Sequence, residues 1–214
     1  MAIARETLNS LLERSVGQTL EDVSRRQLPA AGGSSAGLAG ALGAALTSMA
    51  ARGARSTWEG SGGAIAQAEV LRTRLCALTA SDTEAYVRAR SLLHRAEREG
   101  RGDEPGAGPG NADSERRDYD LATALESAAA VPLAIAETSA DVAALAAWAA
   151  EEAGSDERAD AIVASILAEA AAGAAAQLVL VNLAIRSDDE YAIRANMAAR
   201  AAAESRAKAL ACSA

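Results

Sequence analysis

The chain has 214 residues, 59 of them alanine, with two Trp, three Tyr, no Phe and a formal net charge of −8. Strands draw on β-branched and aromatic side chains, which are scarce here, whereas alanine is the best helix former, so the composition excludes an all-β fold and predicts an all-α one. An acidic chain with so few aromatics also lacks the basic patch and stacking platforms of a nucleic-acid binder, and no nucleic-acid partner is expected.

The first predicted helix spans about Ala2–Arg14. It has no long apolar core of the kind a secretory leader carries, and no apolar run suggests a bilayer span, so a cytoplasmic protein without a membrane partner is expected. A short helix follows Thr19, where Thr19-Leu-Glu-Asp22 reads as a capping pattern. A Gly32-Gly33 loop comes next, and a third helix starts with Ser34 or Ser35 as N-cap and runs to about Arg52. Gly37, Gly40 and Gly43 lie inside it at spacing three. Each glycine weakens a helix by about 1 kcal/mol relative to alanine, so something must approach that face closely: a partner helix or a ligand. The helix is also too poor in large side chains to stand alone, which predicts a close-packed partner and a homodimer.

Gly60–Gly63 breaks the chain before a long helix, about Ala64–Glu99. Leu71, Leu75, Leu78, Asp82 and Tyr86 form one stripe along it. Asp82 therefore lies in line with the apolar face, where an unpaired carboxylate is costly and its pKa rises. Two plainer readings stand beside this one: Asp82 caps a break near Ser81, or it ends the buried stripe and meets solvent. Cys76 in this helix and Cys212 near the terminus match no metal or disulfide framework. His94, the single histidine, sits near the frayed end of the helix beside Arg95 and Glu97, so any proton chemistry rests on carboxylates.

Residues 100–112, with two Pro and five Gly, read as a flexible loop extending to about 113 but not as a domain boundary. Ser114 is a candidate cap for a helix reaching Val131, Pro132 is expected to break or kink it, and Leu133–Ala153 continues. Glu137 lies off the apolar stripe there. Ser155 with Asp156 and Glu157 opens the next helix, in which Asp160 lines up with Val163 and Leu167 as a second acid on an apolar stripe. Asn182 interrupts an apolar run and needs hydrogen-bond partners if buried. A last helix runs from about Asp188 to Leu210. The expectation is one domain over 1–214, a bundle of roughly seven to eight helices.

Five segments in order now resemble a family. Leu28-Pro-Ala-Ala-Gly-Gly-Ser34 followed by the small-residue helix Ala36–Leu46 resembles the glycine-rich loop and helix of the formiminotetrahydrofolate cyclodeaminase and methenyltetrahydrofolate cyclohydrolase family. Asp82-Thr-Glu-Ala-Tyr86 is similar to its acid-then-aromatic helix, and Val131-Pro-Leu-Ala-Ile-Ala-Glu137 to its Val-Pro-Leu…Ala-Glu segment. Ala159-Asp160…Ala168-Glu169-Ala170 and Val179-Leu-Val-Asn182-Leu183 with Asp189-Glu190-Tyr191 resemble the last two. The resemblance covers nearly the whole chain.

It implies an all-helical dimer that takes a tetrahydrofolate derivative as substrate in a cleft between helices, with no tightly bound cofactor and no metal. Asp82 and Asp160 are then the catalytic acids. Gly32, Gly33, Ser34, Tyr86, Glu137 and Asn182 contact or support the ligand. Arg52 and Arg55 are candidates for the anionic glutamate tail of the folate, and Tyr86, Trp58 and Trp148 for stacking on the pterin. The implied reactions are ring closure with ammonia loss, or hydrolysis of a methenyl bridge. Four features depart from the family's pattern: Ala31 replaces a Pro, one loop Gly is missing, the helix after the loop ends in Arg52-Gly-Ala-Arg55-Ser56 where an Asn and a basic cluster are usual, and Leu178 stands where an Asn is usual. They motivate two other readings: the same scaffold serving another cyclisation or C–N bond reaction in specialised metabolism, or a non-catalytic helical dimer.

Overall fold

A computed structural model describes residues 12–100, 111–182 and 190–212. Six α-helices account for most of them: α1 (Val16–Ser24), α2 (Ala31–Gly53), α3 (Ser61–Gly100), α4 (Asn111–Glu152), α5 (Ser155–Asn182) and α6 (Glu190–Ala211), with a 3-10 turn at Ala54–Ser56 between α2 and α3. The described residues contain no strand. The predicted helix at 2–14, save residues 12–14, and residues 101–110 of the predicted loop lie outside the described residues.

Several boundaries differ from expectation, each for a physical reason. α1 is capped by Ser15, not Thr19: the Ser15 hydroxyl accepts from the Gln18 amide at 3.2 Å while the Gln18 side chain accepts from the Ser15 amide at 3.0 Å. Gly32 and Gly33 are not a loop but the first turn of α2, whose chain enters through Ala30 in the left-handed region, φ 54°. Gly62 and Gly63 likewise belong to the first turn of α3. The predicted loop gives way to α4 at Asn111, ahead of Ser114. Pro132 does not break α4 either, which runs unbroken through it to Glu152. Tertiary packing outweighs these local penalties. Merging the two halves of α4 gives six described helices where seven to eight were expected.

α2 lies at the centre, antiparallel to both α3 and α5. An ideal Cβ on Gly33 would meet Asp82, on Gly37 Thr79, and on Gly40 Leu75, so residue numbers fall on α3 as they rise on α2. Toward α5 the partners are Leu178 for Gly32, Ala168 for Gly43 and Glu157 for Gly53. Gly40 also faces Ser139 of α4. Gly37, Gly40 and Gly43 are therefore explained by partner helices, not by a ligand.

The core is correspondingly fine-grained. Ala44, Ala51, Ala68, Ala136, Ala143, Ala168, Ala172 and Ala175 are fully buried, and its largest fully buried side chains are Leu75, Ile135, Val142 and Val179. Alanine offers little apolar area to bury, so dispersion at close backbone approach has to supply much of the cohesion. Cys76 and Cys212 pack against this core as free thiols. Contrary to the expectation from sequence, three helices are long and apolar enough to cross a membrane, over Ala31–Ser56, Arg116–Glu152 and Ser155–Asn182. Alanine raises their hydropathy, and in the fold 61%, 67% and 44% of their most apolar windows is buried.

Candidate active site

Asp82 sits in the middle of α3 at 6% exposure, so it is neither a cap nor a solvent-facing end of the stripe. It stands against Gly33 in the first turn of α2, where only a glycine leaves room for the carboxylate. No hydrogen bond or ion pair engages it among the described residues. Burial pushes its pKa up to about 6.

The carboxylate opens onto a cleft of ≈ 520 Å³. One wall is the entry segment of α2, from Arg26 through Pro29 to Gly33; the others are Asp82, Tyr86 and Arg90 of α3, Pro132 of α4, and Leu178, Val181 and Asn182 of α5. Ala30 supplies no side-chain cap, so the first N–H groups of α2 end at this cleft without an acceptor inside the helix. A second groove, ≈ 790 Å³, continues from the first along α3, α4 and α6 and shares Tyr86, Arg90, Val181 and Asn182 with it.

Asn182 is tied into this corner by Pro132. A proline has no N–H, so in α4 it leaves the carbonyl four residues earlier, that of Ala128, without a helical donor. The Asn182 side-chain amide donates to that carbonyl at 2.6 Å. Asn182 thus holds the C-terminal end of α5 against α4 beside the cleft.

The remaining expected residues divide. Gly32, Gly33, Tyr86 and Asn182 line the Asp82 cleft. Ser34 lies just behind it, 1% exposed, its hydroxyl 3.2 Å from that of Thr83. Glu137 does not line either groove; it holds Arg194 of α6 at 2.8 and 3.0 Å on the outer surface. Asp160 is half-buried near the start of α5. It precedes Leu178 by 18 residues, about 27 Å along the helix, at the end of the bundle away from Asp82. Arg52 and Arg55 are at that far end too, and Arg52 lies 3.5 Å from Glu69. Trp58 and Trp148 pack edge to face there, centroids 4.9 Å apart, leaving Tyr86 as the aromatic of the cleft.

Arg26, Arg90 and Val181 escaped the sequence reading, which had Pro132 only as a helix breaker and Leu178 only as a departure from the family's pattern. Arg90 was findable, because it continues the stripe Asp82, Tyr86 by four residues. Arg26 was not, since its place depends on the left-handed turns at Arg26 and Ala30.

The geometry can be set beside known proteins. The family model described as formiminotransferase-cyclodeaminase matches residues 15–202. Curated protein sequences give no match. Among solved structures, the crystal structure of formiminotetrahydrofolate cyclodeaminase from Thermotoga maritima superposes with a TM-score of 0.69 at 22% identity, covering 94% of this chain and 93% of that one. At that identity the likeness concerns the fold.

Proposed function

The chain belongs to the formiminotransferase-cyclodeaminase family, and from that premise we propose that it is an enzyme acting on a one-carbon unit carried by tetrahydrofolate, with Asp82 as the group that moves the proton. The observation that carries this reading is Asp82 itself: a buried, unpartnered carboxylate with a pKa of about 6, open to a cleft. A carboxyl tuned close to neutrality serves as base and acid in turn.

In the cyclodeaminase direction, folate N10 attacks the formimino carbon and the N10–C bond forms. The formimino group enters as its amidinium, CH=NH2+; Asp82 takes the N10 proton and hands it to that nitrogen, which departs as ammonia as the cationic methenyl bridge closes. One carboxylate suffices, because the proton removed from N10 is the one the leaving group needs. In the hydrolytic direction the same carboxylate deprotonates water adding to the methenyl carbon. Positive charge spread over the two nitrogens is stabilised by the ionised form of Asp82 in a partly desolvated site. Tyr86 lies one turn away for packing on the ring system, and the Leu178 side chain forms an apolar wall.

A near-ultraviolet assay of methenyltetrahydrofolate tests the reading directly. Turnover in the wild type and its loss in Asp82→Asn support it. Absence of any signal at high enzyme, together with no folate binding by calorimetry, leaves the scaffold serving a different cyclisation, the alternative that Leu178 and the shortened glycine segment favour.

We further propose that the protein acts as a homodimer through the outer face of α2 and α5. No charged residue occurs from Ala31 to Ala51, and only Glu169 from Ala161 to Asn182. Leu42, Met49, Val163 and Ile166 are nevertheless exposed on these two adjacent helices.

A further inference from the structure

We propose that Arg90 binds a carboxylate of the ligand, and that the row from Asp82 to Arg90, which ends where the second groove joins the cleft, seats the part of the ligand between that carboxylate and the reacting atoms. The proposal rests on the folate reading for the reacting end and names what recognises the other end.

Asp82, Tyr86, Arg90 and His94 recur every four residues on α3. They therefore form one row, from the bottom of the Asp82 cleft to the second groove. Arg90 stands where the two spaces join. Its guanidinium lies between a phenol and an imidazole: Nη1 donates to the Tyr86 hydroxyl at 3.3 Å and Nε to His94 Nε2 at 3.4 Å. No carboxylate of the protein pairs with it among the described residues. Arg14, Arg25, Arg52, Arg72, Arg194 and Arg206 have an acid partner; Arg90 is among the described arginines that do not. A planar cation oriented by two side chains and left without an anion suits bidentate carboxylate recognition.

Spacing and wall chemistry agree. Eight residues separate Asp82 from Arg90, about 12 Å along the helix. This is the scale of the benzoyl-linked arm that separates the one-carbon unit of a folate from its glutamate carboxylates. Ala128, tied to Asn182 where the two spaces join, and Leu125 beside it give apolar surface against which an aryl ring packs; Glu97 and Glu126 also line the second groove. Arg52 and Arg55, expected from sequence to meet the tail, are at the wrong end of the bundle.

The test uses 4-aminobenzoylglutamate and its uncharged diamide as binding probes, with calorimetry on the wild type, Arg90→Gln, Arg90→Lys and Arg88→Gln. Arg88 is exposed on the same helix and lines neither groove, so its variant controls for net charge. The wild type and Arg88→Gln are expected to bind the diacid and to bind the diamide at least about tenfold more weakly, the size of a lost charge-assisted hydrogen bond. Arg90→Gln is expected to lose that preference and Arg90→Lys to keep part of it. With a tetrahydrofolate substrate, Arg90→Gln should raise KM with little change in kcat. Equal binding of diacid and diamide by the wild type, failure to bind either, or an unchanged preference in Arg90→Gln would overturn the proposal. Arg90-dependent diacid binding without folate turnover would leave the carboxylate site standing and remove the proposed reaction; turnover with a KM indifferent to Arg90 would do the reverse.

Discussion

Gly33 and Asp82 occupy one space: a methyl group on Gly33 would overlap the Asp82 carboxylate. The glycine is thus what allows an acid at 6% exposure to stand against the first turn of α2. In Gly33→Ala the carboxylate must rotate away from the cleft or α2 must part from α3, a strain of about 1–3 kcal/mol. Gly63, in the first turn of α3, has nothing within 4 Å of where its Cβ would be. Gly63→Ala should stabilise the fold by about 0.5–1 kcal/mol through the unfolded chain. Urea unfolding checks both signs, and the folate assay should find activity lost in the first variant and kept in the second. An unharmed Gly33→Ala would mean that Asp82 is not placed by this contact.

Asp82 makes stability depend on pH in a specific direction. Its folded pKa, about 6, lies above the ordinary value of 3.8 because burial disfavours the charge. Between these values the folded state holds the proton that the unfolded state has released, so stability falls as pH rises through that window. The full difference is about 3 kcal/mol above pH 6. Asp82→Asn cannot ionise and should be more stable than wild type at pH 7.5 but no more stable at pH 4, as thermal melts at the two pH values will report. In the same wild-type protein, kcat/KM should rise through about pH 6 and level off as the carboxylate becomes available as base. A flat profile from pH 5 to 8 would remove Asp82 from the proton transfer.

The Asn182 bond to Ala128 predicts a coupling with Pro132. Asn182→Ala leaves the Ala128 carbonyl without a donor, at a cost of about 1–3 kcal/mol. Pro132→Ala restores an N–H that reaches the same carbonyl from within α4. Removing Asn182 in that background should therefore cost at least about 1 kcal/mol less than it does in the wild type. Denaturant titrations of the two single variants and the double variant close the cycle; strictly additive costs would show that Asn182 does something else.

How far the sequence reached follows from where each signal lies. The stripe Leu71, Leu75, Leu78, Asp82, Tyr86 is local to one helix, and periodicity put Asp82 in line with its apolar face while leaving a cap or a solvent-facing end open; its 6% exposure decides. The same logic placed Asp160 on an apolar stripe of α5, yet that stripe runs the length of the bundle, and periodicity says nothing about which end holds a cleft. The antiparallel pairing of α2 with α5 decides it, putting Leu178 and not Asp160 near Gly32. Glu137 was singled out only through the resemblance, and its partner Arg194 belongs to a helix 57 residues later. Pro132 and Gly32-Gly33 misled for the opposite reason: both are strong local breakers, and both are accommodated by a distant partner, Asn182 in one case and Asp82 in the other.

The apolar outer face of α2 and α5 makes the last prediction. Leu42 is 55% and Ile166 39% exposed on the single chain, so a charge at either position costs the monomer little. At the centre of a dimer interface the same charge would be desolvated without a partner, a penalty large enough to weaken association by about a hundredfold or more. Light scattering at micromolar concentration should therefore give a dimer for the wild type and a monomer for Leu42→Glu/Ile166→Glu, with unchanged helicity by circular dichroism. A second copy is the expected occupant because these exposed apolar side chains lie on two adjacent helices that carry no charge from Ala31 to Ala51 and only Glu169 from Ala161 to Asn182. Two results would defeat the pairing: a monomeric wild type, or co-flotation of the wild type with phosphatidylcholine liposomes that the double variant loses. The second would make a bilayer the occupant.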